Sequence, residues 1–71
     1  MILRKRLAKN IFERRKSVGL SQENLAKCAV ISRTYIGHIE NARHSVSTDT
    51  LEKIAVALDV DAMELLRPLI N

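Results

Sequence analysis

The sequence predicts an all-α fold of five short helices, and three observations predict it. Apolar residues recur at three- and four-residue intervals along nearly the whole chain, with no period-two alternation of the kind a half-buried strand shows. Serine, threonine or aspartate stands just ahead of four of the apolar-periodic runs, where a helix N-cap belongs. Glycine and proline together supply only Gly19, Gly37 and Pro68, and there is no low-complexity tract or internal repeat.

The elements follow in order. Leu3, Leu7 and Ile11 recur every fourth residue, and Phe12 and Val18 extend that stripe, so a first helix is expected over about 2–17, ended by Gly19. Ser21 caps a second, short helix with Gln22 and Glu23 in its first turn and Leu25, Ala26 and Ala29 facing inward. Ser32 caps a third, whose inward pair is Ile36 and Ile39. Ser47 or Thr48 caps a fourth, with Leu51, Ile54, Ala55 and Leu58 inside. Asp61, followed three residues later by Glu64, opens a fifth carrying Met63, Leu65 and Leu66, which Pro68 closes or bends.

Length and composition narrow the function. A chain of 71 residues is read as one domain, 1–71, with a modest core. The single cysteine, Cys28, excludes an internal disulfide and is expected as a small core residue in a reducing, cytoplasmic setting. No apolar run approaches the roughly 20 residues of a membrane span, and the N-terminus lacks a signal-peptide core. The aromatic side chains Phe12 and Tyr35 are too few for a platform that stacks single-stranded bases. The net charge of +4 is unevenly distributed. Residues 1–43 hold ten Lys/Arg against three acids, +7, whereas residues 44–71 hold two against five, −3. One face turned to a polyanion fits this asymmetry, as does a solvated basic helix.

The most informative stretch is 21–41. Two capped helices are separated only by about three residues, Ala29, Val30 and Ile31, and so short a turn makes them cross steeply, as in a helix-turn-helix. With Ile36 and Ile39 inward, the third helix leaves Arg33, Thr34, Gly37 and His38 on its outer face. That set suits entry into a DNA major groove, where base edges present a distinguishable pattern of donors and acceptors. Cys28, His38 and His44 have no zinc spacing, no nucleophile–base pair or phosphate-cradling glycine loop is present, and no cofactor or catalytic residue is expected.

Three ordered segments, LSQENLAK at 20–27, SRTYIGHIEN at 32–41 and STDTLEKIAVALDVDAMELL at 47–66, resemble the lambda/434-repressor and Cro-like group of helix-turn-helix regulators, the Xre family. The chain also resembles the small controller proteins of restriction-modification systems. The resemblance implies a five-helix lambda-repressor-like fold and a role for each matching position. It places Arg33 and Thr34 at base edges, with His38 one turn further along. An arginine there suits a bidentate contact to guanine, with a phosphate contact or a solvated side chain as the alternatives. The resemblance places Gln22, Tyr35, Asn41 and Arg43 near the DNA backbone, and Arg15 with Glu40 in a structural ion pair between the first and third helices. Two positions depart from the family, with Val30 and Ala42 where glycine is usual. A β-branched residue is strongly disfavoured at positive φ, so either strain or a different turn geometry is expected there.

The reading is therefore a sequence-specific, autoregulating regulator of transcription that binds a palindromic double-stranded operator as a homodimer, through the helix over about 33–41. A single recognition helix reads only about four base pairs, which is why two-fold symmetry is expected. The segment over about 60–71 supplies a dimerisation surface, with Val60 and Leu66 assigned to the core and Leu65, Leu69 and Ile70 to the patch. No residues are left over for a small-molecule effector domain; repression is expected where a bound dimer blocks RNA polymerase, and activation where it touches RNA polymerase instead. Two alternatives share the same residues: an antitoxin that binds operator and toxin, and a helix-turn-helix fold kept for protein–protein contact.

Overall fold

Four α-helices and a terminal 3-10 turn form the computed structural model, which describes residues 2–69. Helix α1 spans Ile2–Ser17, α2 Gln22–Ala29, α3 Arg33–Glu40 and α4 Thr48–Ala57, and the turn spans Ala62–Leu66. Ser21, Ser32 and Ser47 sit in extended backbone at the starts of α2, α3 and α4. Each hydroxyl accepts from the backbone N–H three residues on (Asn24, Tyr35 and Thr50) at 3.0–3.1 Å, satisfying a donor that the helix itself leaves free.

The expected fifth helix is a 3-10 turn instead. Asp61 caps it as its sequence suggests, accepting from the Met63 N–H at 2.9 Å, but the first backbone bond, Glu64 N–H to the Asp61 carbonyl, closes after three residues. Asn10 on α1 then takes the far end of the turn, donating from Nδ2 to the carbonyls of Leu65 at 3.1 Å and Arg67 at 3.0 Å. Pro68 has no N–H with which to continue a helix.

The core is one cluster drawn from every element. Ile11, Leu25, Ile36, Ile39, Ile54, Leu58 and Leu65 are fully buried, and Leu20, Ile31, Leu51, Val60 and Leu66 pack against them half-buried. Three expectations are corrected here. Leu65 lies in the core at 1 % exposure and is not part of an exposed patch, while its neighbour Leu66 is the partly exposed one. Helix α1 buries only Leu7, Ala8, Ile11 and Arg15, a stripe at four-residue spacing; Leu3 near its start, Phe12 on the flank of the stripe and Val18 just past its end are exposed. Cys28 is exposed as well, since α2 turns Leu25, Ala26 and Ala29 inward and Cys28 falls away from that face. No helix among the described residues is long and apolar enough to cross a membrane.

All four helices end in the same motif. A residue at positive φ follows each helix: Gly19 at 77°, Val30 at 57°, Ala42 at 58° and Asp59 at 57°. Its N–H reaches back three residues, and the next N–H reaches back five, as Ile31 does to Ala26 at 3.0 Å and Arg43 to His38 at 2.9 Å. The turn geometry that glycine normally permits is thus retained at Val30 and Ala42, and the expected strain is present in the backbone.

Candidate nucleic-acid interface

Helix α3 has two unlike faces. Ile36 and Ile39 are 0 % and 1 % exposed, which fixes the rotation of the helix. Arg33 and Thr34 then stand exposed at its N-terminal end, and Gly37 and His38 lie half-buried one turn on. A Cβ added at Gly37 would meet only Gln22 Oε1, at 3.9 Å, so the first residue of α2 lies directly over the outer face of α3. Arg33 also shares an open groove with Lys16, Gln22 and Glu23 at the corner between α1 and α2.

A buried ion pair anchors this face to the rest of the chain. Arg15 Nε donates to Glu40 Oε2 at 2.7 Å and Arg15 NH2 to Glu40 Oε1 at 2.9 Å, with the two side chains 8 % and 4 % exposed. The third guanidinium nitrogen donates to the Leu20 carbonyl at 2.9 Å. The hydrogen bond to Glu40 raises the Arg15 pKa above its ordinary value, opposing burial, which lowers it, and the Glu40 charge adds to the rise. Gln22 joins the pair by donating from Nε2 to Glu40 Oε1 at 3.0 Å, so one carboxylate ties together α1, α2 and the end of α3. Among the described residues, no buried side-chain nitrogen or oxygen lacks a partner.

The remaining candidate positions surround the C-terminal end of α3. The Tyr35 hydroxyl donates to the Ser45 carbonyl at 3.3 Å, which ties the half-buried ring to the loop that follows. His44 packs edge-on against His38, with ring centroids 4.8 Å apart, and against Tyr35 at 6.1 Å. Asn41 is exposed and donates from Nδ2 to the Gly37 carbonyl at 2.9 Å, closing the last turn. Arg43 is exposed for an identifiable reason. The residue that follows the positive-φ position is apolar and packed on the core after α1, α2 and α4 (Leu20, Ile31 and Val60), but after α3 it is Arg43, whose side chain points to solvent.

Residues that the sequence did not single out also hold the frame. Arg14 Nε donates to the Leu58 carbonyl at 3.2 Å, taking an orphan acceptor at the end of α4, and Asn10 does the same for the 3-10 turn. Both are polar residues whose partners lie more than forty positions away in the chain, beyond the reach of any local pattern. The tail departs from expectation too: Leu69 is 39 % exposed, Leu65 is buried, and Ile70 lies outside the described residues.

Comparison with known proteins gives a consistent result. The family profile described as Helix-turn-helix matches residues 11–65, most of the chain. The chain is 42 % identical over 57 residues to the ImmF control region 10 kDa protein of Bacillus phage phi105, covering 80 % of this chain and 63 % of that protein. It is 38 % identical over 66 residues to control protein C.SmaI of Serratia marcescens, covering 93 % of this chain and 79 % of that one. It therefore spans less than two thirds of the length of the ImmF protein. Among solved structures, the hypothetical transcription factor NHTF from Neisseria superposes with a TM-score of 0.90 at 41 % identity, covering 93 % of this chain and 76 % of that one. The restriction-modification controller protein C.AhdI from Aeromonas hydrophila superposes with a TM-score of 0.85 at 35 % identity, covering 87 % of this chain and 94 % of that one. With its two capped helices, its short turn and these relatives, the chain belongs to the Xre-like helix-turn-helix family.

Proposed function

We propose that the chain is a DNA-binding regulator of transcription, with α3 as its recognition helix. The observation that carries this reading is the outer face of α3, where Arg33, Thr34, Gly37 and His38 lie together while Ile36 and Ile39 lock the helix in the core. Arg33 and Thr34 occupy the N-terminal end, the part of such a helix that enters deepest into a major groove. Arg33 reads guanine, Thr34 and His38 contact neighbouring bases, and Gly37 allows close approach of the backbone. Gln22, Tyr35, Asn41 and Arg43 flank this face and meet the phosphates, with the basic surplus of residues 1–43 supplying long-range attraction. Relatives described as a transcription factor, as control proteins and as a phage control-region protein support the same role.

The operator-binding unit is a two-fold dimer, which places two recognition helices about one DNA turn, roughly 34 Å, apart. Its apolar contact comes from side chains left exposed toward the C-terminal end, Val56, Met63 and Leu69, not from Leu65. A dimer bound upstream of its own gene represses by obstructing RNA polymerase or activates by touching it. The base-reading role is tested by Arg33→Ala. Specific binding is expected to weaken by about 1–3 kcal/mol, with affinity for random duplex nearly unchanged. Equal losses on both DNAs would assign Arg33 to the phosphates.

A further inference from the structure

We propose that Glu40 is a positioning residue for DNA contact: it fixes the side-chain amide of Gln22 with one N–H inward, so that the second N–H and the carbonyl oxygen face the recognition surface. This inference rests on the DNA-binding reading above and assigns Glu40 a role beyond its ion pair with Arg15. An ionised carboxylate accepts hydrogen bonds and donates none, so only the NH2 end of the Gln22 amide can face it. Both Glu40 oxygens are already held by Arg15, at 2.7 and 2.9 Å, and the guanidinium is itself pinned to the Leu20 carbonyl. Glu40 is therefore a fixed acceptor, and the 3.0 Å bond from Gln22 Nε2 has one available orientation.

The consequence lies at the other end of the amide. Gln22 Oε1 is directed over Gly37 on the outer face of α3, 3.9 Å from where a Cβ would stand. The free N–H and Oε1 form one donor and one acceptor of fixed polarity beside Arg33, at the surface proposed to meet DNA. A glutamine on a solvated helix would have its rotamers frozen on binding, whereas here the fold has frozen them already. That preorganisation corresponds to about tenfold in affinity for a side chain of this type. The arrangement also makes the buried pair more than a staple, since Arg15 from α1 holds the acceptor by which Gln22 on α2 is aimed.

The test is a double-mutant cycle on specific duplex DNA. Gln22→Ala is expected to weaken binding by the wild-type chain about tenfold. In the Arg15→Met/Glu40→Leu background, where an apolar pair replaces the buried ions and the fold is kept, the same substitution is expected to change affinity less than about twofold. Equal losses in the two backgrounds, or no loss in the wild type, would overturn the proposal. A variant that leaves the ion pair untouched provides a second arm. Gln22→Asn keeps the amide but falls one methylene short of Glu40, so it is expected to lose as much as Gln22→Ala, and wild-type affinity for it would contradict the proposal. The free protein gives a readout without DNA. The Gln22 side-chain NH2 resonances should be ordered and slow to exchange in the wild type and should become solvent-like in Arg15→Met/Glu40→Leu, and a mobile amide in the wild type would again refute the proposal. Failure of the wild-type chain to prefer any duplex is read in the same titration before a variant is introduced, and it would strike the DNA-binding reading, not the orientation of the amide.

Discussion

Val30 is a β-branched residue at φ 57° and ψ 50°, with 80 % of its surface in solvent. Its side chain buries almost nothing, so the position is decided by backbone conformation alone. Left-handed geometry costs an L-residue roughly 1–2 kcal/mol, which outweighs the roughly 0.5–1 kcal/mol of extra chain entropy that glycine loses on folding. Val30→Gly is therefore expected to stabilise the fold by about 1 kcal/mol, seen as a rise in Tm of about 4–8 °C in a thermal melt. An unchanged or lower Tm would mean that the turn is not strained. The sequence exposed the conflict at Val30 without deciding its outcome. The decision comes from Ile31, whose half-buried side chain and 3.0 Å bond to the Ala26 carbonyl hold the turn in place whatever precedes it. Glu40 behaves in the opposite way. Truncating it leaves the Arg15 charge buried without a partner, so Glu40→Ala is expected to cost about 3–5 kcal/mol in denaturant unfolding. A loss below about 1 kcal/mol is the surface-pair value and would mean that water reaches the guanidinium.

At the scale of an element, α3, the proposed recognition helix, separates stability from recognition. Gly37 sits inside a helix where alanine is favoured by up to about 1 kcal/mol, and the added Cβ would meet only an ordinary contact with Gln22 Oε1. Gly37→Ala should therefore raise stability while weakening specific DNA binding, because the methyl group occupies the face proposed to approach the groove. A variant as tight on DNA as the wild type would show that this face does not come close. Serine caps and isoleucine spacing made α2, α3 and α4 legible in the sequence, since both signals are local. The fifth element was misread for a physical reason: Asp61 with Glu64 begins an α-helix and a 3-10 turn alike. Asn10 on α1 takes the carbonyls of Leu65 and Arg67 at the end of the turn, a long-range partnership that no local pattern carries, and packing buries Leu65 while Leu66 stays half-exposed, a distinction that two identical neighbours in sequence cannot carry.

For the whole molecule, the division of charge between +7 over residues 1–43 and −3 over residues 44–71 corresponds to a basic part that carries the recognition elements and an acidic part that carries the C-terminal end. Binding should fall steeply with salt, and Arg43→Ala should reduce the slope of log K against log salt by about 0.9 per protomer while leaving the preference among sequences intact. The fold class was legible because helical periodicity and caps extend along the chain, and the HTH elements because one segment of 21 residues, 21–41, holds both helices and their turn. The proposed dimer surface was less legible, because it depends on which apolar side chains a small core leaves outside. If the proposed dimer uses this end, Met63→Glu, at a side chain 74 % exposed, is expected to abolish it in sedimentation analysis, and a dimer that persists would move the interface elsewhere. The most direct test of the central claim is the binding of the intact chain to the duplex immediately upstream of its own gene, against random duplex, at about 150 mM salt. A preference of about a thousandfold or more, with two protomers per site, is the predicted result, whereas equal weak binding to both, or none to either, would contradict it.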